Sequence, residues 1–175
     1  MFIISKKLKF SFDKVSENAY FHCMKWCYFC FILLLIGSCT LSSSQEATLH
    51  NAVTSYVDAH NNGAVMAFVG YTHPNVVGFY EEQGDETFRE KFELFSPDDG
   101  GVYIQDGNVK EIEQKDGHIH VRYIFDKYSD LDYNDDSEVG IIAISIDDGL
   151  TWFFADEEDY TNEKIFSKDE QLIDL

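Results

Sequence analysis

The sequence predicts an α+β domain in which N-terminal helices pack against an antiparallel sheet. Apolar residues recur every three or four positions between Glu46 and Asn61, which is the spacing of an amphipathic helix. Beyond residue 102 the apolar residues alternate, as in a strand with one buried face. Asp116-Gly117 and Asp147-Asp148-Gly149 are turn signals between the alternating segments. Helices followed by a run of antiparallel strands indicate the α+β class.

Residues 1–38 have the layout of a bacterial signal peptide with a signal helix. An apolar run of 11 residues, 26–36, follows Lys25 and is shorter than the ~20 residues of a membrane-spanning helix. The run ends in Ile36-Gly37-Ser38-Cys39, which resembles the lipobox, where the cysteine carries a lipid and becomes the mature N-terminus. A buried helix or a single-pass anchor is the alternative. Met24 is a second candidate start, because a signal beginning there would have an ordinary form.

Cleavage before Cys39 would leave a polar tether, residues 39–45, and a domain, residues 46–175. Five of the 13 basic residues and two of the 32 acidic residues precede Cys39, so the remainder has a formal charge of 8 − 30 = −22. This charge repels nucleic acid and anionic headgroups, so we expect no nucleic-acid partner. All four cysteines lie within the first 39 residues, so packing and not disulfides must stabilise the domain.

The helical half is predicted to contain two helices and a short apolar segment. The first helix spans 46–61, with His60 near its end, and stops at Asn61-Asn62-Gly63. Residues 64–69 are expected to form the short apolar segment, helical or turn-like and buried, and residues 71–77 to form a connection. Within that connection Pro74 forces extended geometry on His73, which we expect to be a structural hydrogen-bonder. Asp85 is expected to cap a further helix that runs to Phe95.

The strand half is predicted to contain the segments 102–105, 109–115, 118–125, 139–146 and 151–154. Asp106-Gly107 would turn the chain between the first two segments. Segment 139–146 is almost wholly apolar, which indicates burial on both faces. An acidic loop is expected at 126–138. The acidic tail from Ala155 is expected to end in a short helix, with Leu172 and Ile173 packing down.

The acidic loop raises the question of calcium. Asp130, Asp132 and Asn134 supply alternating oxygen donors, as at the start of an EF-hand loop. The match fails later, because the sixth and twelfth positions lack the required Gly and Glu. We therefore expect a solvated loop and no metal site, with these three residues as weak calcium candidates. The acidic cluster 156–159 has the same interpretation.

Two stretches of the chain carry a resemblance to a known group. The first is 71–77 (YTHPNVV) with Gly84 and the helix at 87–91, and the second is 142–154 (IAISIDDGLTWFF). They resemble small bacterial lipoproteins of the nuclear-transport-factor-2-like (NTF2-like) group, over residues 46–160. The resemblance implies a curved antiparallel sheet around a long N-terminal helix, enclosing a cone-shaped cavity. It carries over no activity. Some NTF2-like relatives are isomerases or dehydratases, and many others bind ligands or dimerise through the sheet.

No catalytic set and no cofactor is predicted. His118, His120 and Arg122 share one face of the strand at 118–125, and two histidines at this spacing could bind a metal or move a proton. The alternation nevertheless places this face toward solvent and the apolar residues toward the core.

Aromatic residues make up 15% of the chain, and most of those in the domain are expected to fill its core. If the sheet curves, some would instead line a cavity for an apolar ligand, with Tyr56 and Trp152 as candidates. The residues concerned are Tyr56, Phe68, Phe79, Phe88, Phe92, Phe95, Tyr123, Phe125, Trp152 and Phe154.

Three functions stay open. The favoured one is a lipid-anchored, non-catalytic NTF2-like domain that binds a small apolar ligand or a protein partner, or forms a homodimer, at the bacterial cell envelope. The alternatives are an enzyme that uses the cone for acid–base chemistry, and a structural or adhesive protein whose acidic loops bind cations. Thr40 follows Cys39, and this favours the outer membrane, because retention at the inner membrane usually needs Asp there.

Overall fold

A computed structural model describes residues 40–93, 102–129 and 132–175. The predicted signal peptide, the lipid site Cys39, Phe95 and the calcium candidate Asp130 lie outside these residues. Among the described ranges the helices are α1 (Ser43–Asn61), α2 (Val65–Tyr71), α3 (Pro74–Gln83), α4 (Asp85–Phe92) and α5 (Glu157–Thr161), and the strands are β1 (Val102–Lys115), β2 (His118–Ser129), β3 (Asp132–Ser145) and β4 (Phe153–Asp156). This confirms the α+β class. No helix in these ranges combines the length and the apolar composition that a bilayer span requires.

Helix α1 begins three residues before its predicted start. Ser42 caps it, because the Ser42 hydroxyl accepts from the Gln45 amide at 3.3 Å while the Gln45 side-chain oxygen accepts from the Ser42 amide at 2.8 Å. This capping box satisfies two amides that a helix start leaves without partners. Residues 43–45, which the sequence places in the polar tether, therefore form the first turn of the helix.

The predicted connection at 71–77 is wrong, because only Thr72 and His73 separate α2 from α3. Pro74 is the first residue of α3, a position where a missing amide proton costs nothing. His73 is extended, with φ −59° and ψ 134°, and its Nδ1 accepts from the Asn75 amide at 3.2 Å, which confirms a structural role. Asp85 does not cap α4. Gly84 holds that position, and Asp85 lies in the first turn, where its charge favours the helix dipole.

The four strands form one antiparallel sheet in the order β1-β2-β3-β4, curled into a half-barrel. Of the three predicted turns, those at 116–117 and 147–149 are confirmed. Asp116 and Gly117 have φ of 52° and 83°, and Asp148 and Gly149 have φ of 58° and 83°. Left-handed geometry at two successive residues is what the two-residue hairpin between β1 and β2 requires. Asp148 and Gly149 lie within the longer connection from β3 to β4.

Two predicted interruptions of the sheet are wrong. Residues 106–107 do not turn the chain, because β1 runs through them with a register shift between Gln105 and Asn108. A side chain at Gly107 would overlap the ring of Phe125, so the glycine admits that ring. The predicted acidic loop at 126–138 is largely strand, since Asp126 pairs with Glu138 across the β2–β3 hairpin. Exposed acidic side chains leave the backbone ladder of a hairpin intact.

Both faces of the sheet are buried. One face packs against α1 through Leu49, Tyr56 and an apolar row on β2, and Trp152 belongs to the same core cluster. The other face carries Ile142 and Ile144 of β3 beneath α3, α4 and the C-terminal segment. The two-sided burial predicted for β3 is confirmed. Of the predicted core aromatics, the buried ones are Tyr56, Phe92, Tyr123, Phe125, Trp152 and Phe154, and the half-buried ones are Phe68, Phe79 and Phe88.

The C-terminal tail folds back over the second face of the sheet. Its short helix, α5, stands at the beginning of the tail and not at the end as predicted. Ile165, Phe166 and Ile173 are buried against β3, which confirms that Ile173 packs down.

Candidate functional site

A cavity of about 240 Å³ lies where α1, α2, α4 and the half-barrel meet. Tyr56 projects from α1 and stacks on Phe154 of β4, with 4.4 Å between ring centroids. Phe68 of α2 lies 5.0 Å from the ring of Tyr56. The lining side chains are mostly apolar or aromatic, with a smaller polar set: Tyr56, His60, Phe68, Thr72, Lys91, Phe92, Val102, Ile104, Lys127, Val139, Ile141, Phe154, Ala155, Asp156 and Asp159.

The polar side of the cavity is an ionic group of three residues. Lys91 Nζ lies 2.8 Å from Asp156 Oδ2 and 2.7 Å from Asp159 Oδ2. Tyr80 donates its hydroxyl to Asp159 Oδ1 at 2.9 Å. Asp159 is only 2% exposed, so its charge depends on these partners and not on water.

The ionic group carries one positive charge against two negative charges. Burial disfavours the charge of Lys91, but the carboxylates of Asp156 and Asp159 outweigh this effect and raise its pKa above the usual range. Lys91 therefore stays protonated at physiological pH and is no general base. The negative excess belongs to this ionic group, and the second basic residue of the cavity lining, Lys127, is exposed. A ligand end that contacts Asp156 would therefore be cationic or a hydrogen-bond donor.

His60 brings a neutral imidazole to the same cavity. Burial lowers its pKa, against opposing effects of its hydrogen bond to Asn61 and the charge of Asp156. Asn61 Oδ1 accepts from the Ile104 amide at 3.0 Å, and its Nδ2 donates to the Ile104 carbonyl at 2.8 Å, so the amide orientation is fixed. His60 Nδ1, 3.2 Å from that same Oδ1, must then be the donor. The lone pair lies on Nε2.

Of the five predicted site candidates, Tyr56 lines the cavity and the other four lie elsewhere. Trp152 is a core residue, whose Nε1 donates to Thr48 Oγ1 and to the Gly149 carbonyl, each at 3.1 Å. Arg122 lies on the opposite face of the sheet, where its Nε donates to Glu157 Oε1 at 2.6 Å.

The prediction that His118 and His120 both face solvent holds for His118 and is wrong for His120. His120 is 2% exposed, because the C-terminal segment covers it. Its Nδ1 lies 2.7 Å from the hydroxyl of Tyr160, which also accepts from the amides of Leu172 and Ile173. That hydroxyl therefore gives its one proton to His120. Burial, with smaller effects of His118 and His73, lowers the pKa of His120 to about 4.

Sequence reasoning missed Lys91, Asp156, Asp159 and the orientation of His60. The cluster 156–159 was expected to be solvated, which is wrong for Asp159. The signal that could have found it is the spacing of Asp156 and Asp159, because an N-cap residue and the third residue of its helix lie close together at the start of the helix.

No metal site is evident in the part of the chain that the structure describes, where no three His, Cys, Asp or Glu residues form a group able to hold an ion. The calcium candidates Asp132 and Asn134 lie in β3, and their side chains are outside the described set. We found no match to the chain among models of protein families, curated proteins or solved structures.

Proposed function

We propose that this chain is a lipid-anchored, non-catalytic domain that binds a small, mainly apolar ligand at the bacterial cell envelope. Its sheet would form the cone of the NTF2-like group, and Cys39 would carry the lipid, with the outer membrane as the expected location. The cavity beside Tyr56 is the observation on which the ligand rests. A volume of about 240 Å³ is slightly below the ~300–1,000 Å³ of typical ligand pockets, so the ligand is small.

The lining of the cavity supports a ligand with an apolar body and one polar end. The rings of Tyr56, Phe68 and Phe154 offer flat apolar contact. The carboxylate of Asp156 is the more accessible of the two beside Lys91, with its side chain 40% exposed. A primary amine is the simplest head group that fits, because it supplies both a positive charge and hydrogen-bond donors to a carboxylate.

Thermal unfolding with matched probe molecules tests this chemistry. We expect benzylamine to raise the melting temperature more than toluene, and benzoate to have the smallest effect, because only the amine complements the carboxylates. Asp156→Asn should remove the preference for the amine. Glu157→Gln is the matched control, because its carboxylate pairs with Arg122 on the other face of the sheet. Equal effects of amine and benzoate would contradict the proposed head group.

The lipid anchor has a test of its own. A palmitate analogue fed to cells should label the wild-type chain, and Cys39→Ala should abolish the label. Label that persists in Cys39→Ala would overturn the lipobox. Calcium titration followed by thermal melting separates the cation-binding alternative, and we expect no shift at millimolar calcium.

His60 supports an acid–base enzyme as a second candidate function. Its Nε2 lone pair and lowered pKa are properties of a general base at neutral pH. Mass spectrometry of the molecule that copurifies with the protein discriminates the two functions. If the protein only binds, an added sample of that molecule is recovered unchanged, whereas an enzyme converts it. In the second case His60→Gln should stop the conversion while the cavity still binds the molecule.

A further inference from the structure

Two apolar side chains project from the turn between β3 and β4. Ile146 is 61% exposed and Leu150 is 77% exposed. The turn between them is fixed from within, because Asp147 Oδ1 accepts from the amides of Leu150 and Thr151 at 3.1 and 2.8 Å and from the hydroxyl of Ser145 at 2.8 Å. A turn held by its own acidic side chain therefore presents two aliphatic residues outward.

This turn lies at the beginning of α1. Gln45 Nε2 donates to the Asp148 carbonyl at 3.0 Å, and Thr48 Oγ1 donates to the Gly149 carbonyl at 2.6 Å. Immediately before α1, Leu41 is half-buried and packs against the core that α1 shares with the sheet. Leu41 is thus fixed to the domain two residues after the predicted lipid site, and two residues span at most ~7 Å.

We infer that Ile146 and Leu150 form a tip that inserts into the membrane surface beside the lipid anchor. The inference rests on the lipid at Cys39 in the proposed function. Because the tether has only two residues, the start of α1 must lie close to the bilayer surface. The turn that is hydrogen-bonded to α1 must then lie close to that surface as well. Apolar side chains held at this level reach the boundary between headgroups and acyl chains, ~5–10 Å deep.

The charges around the tip indicate the kind of lipid. Asp148 donates its amide to the Gly117 carbonyl at 3.0 Å, so the β1–β2 turn adjoins the tip. Glu46, Asp116 and Asp148 are exposed at this end of the domain, with Lys115 as the neighbouring base. Carboxylates repel anionic headgroups, so the surface fits zwitterionic lipid, with phosphatidylcholine as the probe.

Depth-dependent fluorescence quenching tests the tip in the full, processed chain. Leu150→Cys supplies one free thiol, because lipid blocks Cys39 and the other cysteines leave with the signal. A nitrobenzoxadiazole label there is measured in phosphatidylcholine vesicles that contain doxyl-labelled lipid. Met66→Cys is the matched control, since Met66 is 85% exposed and the 19 residues of α1 place ~28 Å of helix between it and Ser43.

We expect doxyl lipid to quench the label at 150 roughly two-fold or more, and the label at 66 hardly at all. Mixing in phosphatidylglycerol should lower the quenching at 150. Equal, weak quenching at both positions on a chain with lipid on Cys39 overturns the tip and leaves the anchor standing. A chain whose mass shows no lipid on Cys39 overturns the anchor and the tip together.

Discussion

Two buried polar regions of this molecule differ in how they satisfy their groups. Beside the cavity, Lys91 stands between the carboxylates of Asp156 and Asp159, and the group keeps an excess negative charge. Beneath the C-terminal segment, His120 and Tyr160 are neutral and use hydrogen bonds alone. A neutral pair closes a packed face at little desolvation cost, whereas a charged group beside a cavity costs more and leaves a charge that a ligand can use.

To test this comparison, replacing the cationic side chain of Lys91 should cause the largest loss of unfolding free energy. Lys91→Met leaves Asp159 buried without its counter-charge, and breaking a buried pair in this way costs about 3 kcal/mol of unfolding free energy. Urea unfolding followed by the fluorescence of Trp152 measures the loss.

The control for this prediction replaces the charges on both sides. Lys91→Met combined with Asp159→Leu should recover most of the stability, because an apolar pair of similar volume leaves no buried uncompensated charge. The carboxylate of Asp156 loses its partner, but its side chain is 40% exposed. A single variant as stable as the wild type would show that water reaches Asp159, against its burial.

Acid should lower the free energy of unfolding through His120, the titratable histidine of the neutral region. His120 has a pKa of about 4 when folded and ~6.5 when unfolded. As the pH falls from 6.5 to 4, the unfolded chain takes up a proton that the folded chain refuses, so stability declines through this window and levels off below it. The decline for His120 is about 3 kcal/mol, and His73, whose pKa burial also lowers to about 4, adds to it.

His120→Gln checks the source of the pH dependence. Glutamine can still accept from Tyr160 but does not titrate, so urea midpoints measured at several pH values should decline less steeply below pH 6.5. His118→Gln is the matched control, because His118 is exposed on the same strand. An unchanged slope in His120→Gln would contradict the assignment.

Loss of the Tyr160 hydroxyl should loosen the closed face, by which we mean the face of the sheet that the C-terminal segment covers at His120. The Tyr160 hydroxyl joins His120 to the amides of Leu172 and Ile173. Tyr160→Phe leaves these groups without a partner, at a cost of about 2 kcal/mol. Hydrogen exchange should show faster exchange of the two amides while the amides of β1 and β2 keep their protection. Unchanged exchange at both amides would mean that the segment is held by packing alone.

The parts of the fold that local chemistry determines could be predicted from the sequence. Asp-Gly pairs favour left-handed geometry, so the turns at Asp116-Gly117 and Asp148-Gly149 were predicted correctly, whereas the pair at 106–107 lies inside β1. Pro74 correctly indicated an extended His73, but the connection predicted at 71–77 was too long, because proline is also a favoured first residue of a helix. The composition of 126–138 indicated exposure, as Asp126 and Lys127 show, but exposure does not determine backbone conformation.

The candidate site could not be predicted, because distant segments build it. Lys91 and Asp159 are far apart in the sequence, and the local sequence around each residue predicts an exposed, solvated charge. For His120 the alternation of β2 correctly separated two faces. The alternation could not show that the C-terminal segment covers the face that carries His120. That coverage depends on long-range packing of apolar residues such as Ile165 and Ile173 against β3.

The smallest effect should come from the link between the two regions. In α5, Glu157 lies between Asp156 and Tyr160 and pairs with Arg122, each side chain about 30% exposed. Gly140→Ala would push Glu157 away, since an added Cβ overlaps its carboxylate. We expect a loss of only ~0.5 kcal/mol, because partly exposed ion pairs contribute little.

Gly78→Ala is the control for Gly140→Ala. Its Cβ would meet nothing within 4 Å on α3, so it should gain ~0.5–1 kcal/mol from helix propensity. If Gly140→Ala costs much more than expected and also speeds exchange at the Leu172 amide, the ion pair couples the two regions through α5. If exchange there is unchanged, the cavity and the closed face are stabilised independently, and a ligand in one would leave the other as it is.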